Sequence, residues 1–178
     1  GDFGTTTSTA RAKFLSVNSV NVAGNLSGAI AADATIPTVT AGTINGGGVT
    51  SGNSITGVSA ASMLNARIAA RNSIGTVNVA GDATGSSILG GVDLGDDADF
   101  GGTDGNADVI GSGSVGAVNV GGNFQKSDVT AGVSRGPSGY IGAEDAVIAA
   151  GRSSIGTVTI AGTQTGSNFN SEQFRVIS

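Results

Sequence analysis

Six segments of the chain repeat one spacing of apolar residues: three stand at positions i, i+3 and i+5, and another follows about ten positions after the middle one. Successive middle residues are separated by 19, 19, 19, 41 and 40 positions. They are Val20, Val39, Val58, Val77, Val118 and Val158. Apolar side chains two positions apart lie on one face of an extended strand. The pattern therefore predicts short β-strands that recur with a 19-residue period.

Such a period with alternation inside it is typical of a parallel β-solenoid, here expected to be right-handed. We expect an all-β fold whose coils of about 19 residues stack ~4.8 Å apart through parallel hydrogen bonds. Residues one period apart then form columns, and three aliphatic columns are predicted to face the interior. The first contains Val17, Ile36, Ile55, Ile74, Val115 and Ile155; the second is the set of middle residues; the third contains Ile30, Val49, Ile68, Ile88, Val129 and Phe169. Two positions beyond the third column stand small residues: Ala32, Ser51, Ala70, Gly90, Ala131 and Ser171.

One column is polar in every copy and is predicted to face solvent. Its members are Asn21, Thr40, Ser59, Asn78, Asn119 and Thr159. Thr38 with Thr40, and Thr157 with Thr159, form Thr-x-Thr pairs that resemble the flat faces of ice-binding proteins. The neighbouring row is only half threonine, however, and a solenoid places polar strand formers outward in any case. Ice binding is therefore a distant hypothesis.

Residues 60–71 (AASMLNARIAAR) have an alternative, because good helix formers dominate this segment. The repeat runs through it without a change of phase, which favours strands.

The two long steps predict loops that leave one corner of the coil and return to it. These excursions, residues 94–110 and 134–148, stand at the same phase of the repeat, and each contains an aromatic residue, glycines and acidic residues. Long loops on a repeat scaffold are common binding sites. We divide the chain into an extended N-terminal tail (1–15), the solenoid (16–171) and a strand-like C-terminal tail (172–178).

The pattern S-[IV]-G-x-V-x-[VI]-x-G occurs at residues 73–81, 114–122 and 154–162. It resembles the repeats of large secreted bacterial surface and adhesin-type proteins with parallel β-helices. The resemblance implies an extracellular or cell-surface location in a bacterium and a structural, adhesive or layer-forming role. An adhesin would recognise a glycan or a surface through its excursions.

Composition excludes several other classes of function. The 178 residues include no His and no Cys, which excludes Ser–His and cysteine nucleophiles and zinc sites built on those ligands. Eight basic against 13 acidic residues argue against nucleic acid binding. No apolar run approaches the ~20 residues that span a bilayer.

Asp96, Asp97 and Asp99 could imitate the carboxylate cluster of polysaccharide-cleaving β-helix enzymes. The only lysines are Lys13 and Lys126, and the repeat map puts neither near these acids. We therefore expect a non-enzymatic protein.

The first excursion also contains candidate calcium ligands. Asp104, Asn106 and Asp108 alternate like the oxygen ligands of a calcium loop, and Asp97 and Asp99 could add further oxygens. No glycine follows Asp108, however, and no glutamate stands at the EF-hand spacing. A calcium site and a hydrated acidic loop both stay open.

Neither end of the chain has a pattern that predicts a capping helix. Residues 5–15, which include Phe14, and the C-terminal tail are β-prone. In the tail Phe174 and Val176 fall on one face of a strand and Arg175 on the other. Open solenoid ends expose unpaired backbone and apolar columns. These features predict end-to-end self-association into a filament or layer, with these four residues at the contacts; the alternative is that neighbouring domains cap the ends.

Overall fold

The computed structural model describes residues 11–101, 103–134, 146–147 and 153–170. These residues form twenty β-strands and two 3₁₀ turns, Gly95–Asp97 and Asp104–Asn106, with no α-helix among them. The first ten strands are β1 (Arg11–Phe14), β2 (Val20–Leu26), β3 (Ala29–Ala32), β4 (Ile36–Asn45), β5 (Gly48–Ser51), β6 (Ser54–Leu64), β7 (Arg67–Ala70), β8 (Ser73–Val79), β9 (Ala83–Thr84) and β10 (Ser87–Gly90). The others are β11 (Val92–Asp93), β12 (Val109–Ile110), β13 (Ser114–Val120), β14 (Phe124–Gln125), β15 (Asp128–Ala131), β16 (Val133–Ser134), β17 (Ala146–Val147), β18 (Ser154–Ile160), β19 (Gln164–Thr165) and β20 (Asn168–Asn170).

Two parallel sheets contain most of these strands. The seven-stranded sheet has the order β1-β3-β5-β7-β10-β15-β20. In the nine-stranded sheet β2, β4, β6, β8, β13 and β18 follow one another, and β9, β14 and β19 continue from the end of β6. The chain passes back and forth between the two sheets, so strands that are neighbours in a sheet come from successive repeats. The all-β, parallel character predicted from the sequence is confirmed.

The strand register confirms the predicted columns. Adjacent strands of the nine-stranded sheet pair the middle residues of successive repeats, from Val20 with Val39 through to Val118 with Val158. In the seven-stranded sheet Ile30 pairs with Val49 and the same column continues to Phe169. All the middle residues are buried.

Inward side chains of both sheets form one hydrophobic core. Phe124 lies fully buried in this core, and its ring stacks on that of Phe169 at a centroid distance of 5.5 Å. Val17 lies outside the strands but packs against the core, as its column predicted. The small residues two positions beyond the third column, from Ala32 to Ala131, pair in register and are buried. Side chains next to the third column are therefore short.

A close approach of backbones explains the glycine of the S-[IV]-G motif. A Cβ added to Gly116 would contact the carbonyl oxygen of Gly75, and one added to Gly156 would contact the carbonyl oxygen of Gly116. Only a residue without a side chain lets these strands lie so close at this point. The motif glycine therefore serves the stacking of strands.

Three further expectations can be compared with the strands. Residues 60–71 lie in β6 and β7 and the connections beside them, so the strand prediction is confirmed against the helical alternative. Neither excursion hides an extra repeat, because β13 pairs directly with β8 and β18 directly with β13. Residues 11–14, assigned to the N-terminal tail, are extended but belong to the sheet, since β1 pairs in parallel with β3.

Both excursions begin and end in a short antiparallel strand pair. β11 pairs with β12 around the first, and β16 pairs with β17 around the second. This common closure supports the prediction that the two excursions are related. Most of the second excursion lies outside the described residues.

No helix in the described part of the chain is long and apolar enough to cross a membrane.

Candidate functional site

The first excursion folds back over the outer side of the seven-stranded sheet. Val92 and Leu94 pack against Ala69 and Leu89, and all four are nearly or fully buried. Phe100 and Ile110 pack at the margin of this second apolar cluster. Ala69 of β7 and Leu89 of β10, which point outward, therefore contact protein and not water. The sequence predicted a loop that leaves one corner and returns to it, but did not reveal that this loop packs on the sheet.

Thr50 fixes the start of the excursion. It belongs to β5, points away from the main core and is only 1 % exposed. Its hydroxyl donates to Asp93 Oδ1 at 3.2 Å and accepts the backbone N–H of Leu94 at 3.0 Å. Asp93 Oδ1 also accepts the N–H of Gly95 at 3.1 Å. A buried hydroxyl that both donates and accepts is fully satisfied, which holds the loop in one orientation.

Two ion pairs join the excursion to the edge strand β1. Lys13 Nζ lies 2.8 Å from Asp96 Oδ1 and 3.7 Å from Asp33 Oδ1, and Arg11 lies 3.9 Å from Asp97. The expectation that Lys13 is far from these acids was therefore wrong. The repeat map places strands relative to one another, but it does not tell where a long loop turns once it leaves them.

The charge of Lys13 is stabilised by these neighbours. The hydrogen bond to Asp96 raises the pKa of Lys13 above its usual value of 10.5. Desolvation opposes this shift, and the charges of Asp33 and Asp96 add to it. A lysine that holds its proton more firmly is a poorer general base at neutral pH.

A third contact joins the excursion to β7. Arg67 lies 3.1 Å from Asp99 Oδ1, and its guanidinium lies 5.8 Å from the centre of the Phe100 ring. The guanidinium thus combines an ion pair with a cation–π contact. Asp96, Asp97 and Asp99, which looked like a solvated acidic run, each face a basic residue of the seven-stranded sheet.

The candidate calcium ligands lie in this excursion with other partners. Asp97 Oδ1 accepts the N–H of Asp99 at 3.1 Å, in addition to the contact with Arg11. Asp99 Oδ1 accepts the N–H of Phe100 at 2.8 Å.

The remaining three candidates surround the second 3₁₀ turn. Asp104 begins this turn with a left-handed backbone, φ 56°, and Asn106 ends it. Asp108 Oδ2 accepts the N–H of Gly101 at 2.9 Å. Within the described ranges, no group of three or more His, Cys, Asp or Glu side chains is placed to hold a metal ion. Calcium binding stays a prediction.

The outer side of the nine-stranded sheet is open, in contrast. All six members of the predicted polar column are exposed. Asn119 Nδ2 donates to Asn78 Oδ1 at 2.9 Å, so at this point the column forms a ladder across the strands. Beside it runs a row of small residues with the same spacing, a signal in the sequence that was missed: Ala23, Gly42, Ala61, Ala80, Gly121 and Ala161. The later members of the two rows, from Ser59 to Thr159 and from Ala80 to Ala161, line a shallow groove of about 320 Å³.

The stacked strands have open edges at both ends. We call the outer sides of β1 and β2 the N-terminal edge, and those of β18, β19 and β20 the C-terminal edge; no strand of the described residues pairs with either. Phe14 and Leu15 lie at the N-terminal edge with 39 % and 81 % of their surface exposed. Of the predicted assembly residues, Phe14 is thus at an open edge. Phe174, Arg175 and Val176 lie outside the described residues.

Comparisons with known proteins identify no relative. No family model matches the chain, and neither a curated protein nor a solved structure matches it.

Proposed function

We propose that the two sheets are walls of one parallel, right-handed β-solenoid and that the protein is a non-enzymatic structural subunit. In this proposal, copies associate end to end into a filament or layer at a bacterial cell surface or outside the cell. The passage of the chain between sheets, the shared core and the unbroken columns support the solenoid. The S-[IV]-G-x-V repeats, through their resemblance to surface-protein repeats, support the location.

The observation that carries the assembly is the pair of open edges. Each edge presents backbone N–H and C=O groups of a parallel sheet next to the end of an apolar core. A second copy would satisfy these groups and cover the apolar side chains at once. The N-terminal edge of one copy would contact the C-terminal edge of the next, so the two surfaces in each contact differ. Such heterologous contacts add copies in a row without closing into a ring.

Sedimentation velocity and negative-stain microscopy of the full chain, over a wide concentration range, test this proposal. We expect rods that lengthen with concentration at constant width. The chain lacking residues 172–178 should give shorter assemblies while its circular dichroism is unchanged, because the three interior columns are kept. A full chain that stays monomeric at every concentration would remove the proposal.

The alternative function is an adhesin-type module that recognises a glycan or surface through its excursions. The attachment of the first excursion through Lys13 and Thr50 favours this alternative, because a preorganised loop loses little entropy on binding. Binding of a monomer on a glycan array, without assembly, would support it.

A further inference from the structure

The two ends of the seven-stranded sheet match each other in register. β1 and β20 are its first and last strands, and the same column that contains Phe169 in β20 contains Ala12 in β1, through Ile30 and the residues between. If a second copy were stacked on the open side of β20, its Ala12 would take the next position in the column that ends at Phe169. This inference rests on the proposed end-to-end association.

We propose that β20 of one copy pairs in parallel with β1 of the next, in a single register: Asn168 with Arg11, Phe169 with Ala12 and Asn170 with Lys13. This register extends the column pairing of every internal strand pair of the sheet by one more step. The contact is between two copies of this chain.

Side-chain size supports the register. Phe169 is the largest residue of its column, its ring already stacks on Phe124, and it is only partly buried. Ala12 is the smallest residue of that column and is half-buried at the opposite end. A large residue facing a small one fills the interior without overlap, whereas two large residues at the junction would collide.

Charge supports the register as well. Arg11 and Lys13 lie on β1, where their cationic groups already contact Asp97 and Asp96. In the proposed register they stand opposite Asn168 and Asn170, which are neutral. Like charges that face each other across two strands would oppose association, and the proposed pairing has none.

The number of tiers indicates what else such a junction needs. The seven-stranded sheet has seven tiers, while the repeats of the nine-stranded sheet stack in six, from β2 to β18. Pairing β20 with β1 of the next copy therefore leaves room for one strand between β18 and the next β2.

The absence of cysteine from the chain permits a direct test. A double variant with Arg11→Cys and Asn168→Cys places thiols at paired positions on adjacent copies, ~4.8 Å apart and close enough for a direct disulfide. Under mild oxidation we expect a ladder of disulfide-linked oligomers on a non-reducing denaturing gel. The matched control, Lys13→Cys with Asn168→Cys, is offset by ~6.6 Å along the strand, beyond the reach of a disulfide, and should cross-link several-fold less.

A second variant keeps the test independent of the cysteines. Ala12→Asp puts a charge at the open end of a column, where it is partly exposed to water in the monomer but would be buried unpaired at the junction. We expect association roughly tenfold weaker or more, with unchanged circular dichroism. Asn78→Asp, which adds the same charge to the exposed column, should leave association unchanged.

The outcomes separate the two proposals. Assemblies that form without the in-register cross-link, or that tolerate Ala12→Asp, would overturn this register while end-to-end association stands. A chain that forms no assemblies would overturn both.

Discussion

The outer faces of the two sheets have the same alternation but opposite surroundings. On the nine-stranded sheet Asn78 and Asn119 point outward and are exposed. On the seven-stranded sheet Ala69 and Leu89 also point away from the main core, yet both are nearly or fully buried under the first excursion. Alternation thus tells which side chains face the core. Whether the opposite side meets water depends on what covers it.

Residue types along the two outward columns record this difference. The open column contains only Asn, Ser and Thr. The corresponding column of the seven-stranded sheet begins with Lys13 at one edge and ends with Asn170 at the other. Between them it contains Ala31, Thr50, Ala69, Leu89 and Thr130. An outward column without Asn or charge in its middle is the signal that could have predicted a cover.

The largest effect on stability is expected in the core, where the inward side chains of both sheets are buried. Val77→Asp would bury an unpaired charge in the second column, which should cost several kcal/mol of unfolding free energy (~3 kcal/mol or more). Asn78→Thr, one residue away on the open face, should change stability by less than about 0.5 kcal/mol. Urea unfolding of both variants measures the difference. Equal sensitivity would show that the assignment of inner and outer positions is wrong.

The next prediction compares how much side chains on the two outer faces contribute to the free energy of unfolding. Leu89→Ala removes a side chain packed beneath the excursion and should destabilise the protein by about 2–4 kcal/mol. Asn119→Ala is its counterpart on the open face and should cost less than about 0.5 kcal/mol. Denaturant titrations of the two variants test this. If Leu89→Ala were as mild as Asn119→Ala, the covered face would be no different from the open one.

A smaller effect is expected from the contacts at the margin of the cover. Arg67→Met removes the ion pair with Asp99 and the contact with Phe100, which together should contribute about 0.5–1 kcal/mol. A double-mutant cycle with Asp99→Asn isolates the ion pair, and raised salt should shrink its coupling. Arg71→Met, at an exposed arginine just after β7, is the control and should show no coupling to Asp99.

The smallest effect should appear at alkaline pH. Because the pKa of Lys13 is higher in the folded protein than its usual 10.5, its stabilising contribution is complete below that value and is lost as the pH rises through the raised pKa. Stability in urea should therefore fall slightly more in the wild type than in Lys13→Arg, whose guanidinium stays charged. Identical alkaline profiles would mean that the contact with Asp96 does not favour the folded state.

The sequence by itself determined the strands, their parallel stacking and the register of the columns. It could do so because burial selects apolar side chains at every inward position, and the repeated spacing applies the same selection to each copy of the repeat. Only tertiary structure decided where the first excursion lies, and with it the partners of Asp96 and Asp99. The residues of the excursion follow no period, and their partners Lys13 and Arg67 lie on strands distant in the chain. Their contacts arise from the direction that the loop takes, which follows from the packing of Leu94 and the hydrogen bonds of Thr50 and not from any local pattern.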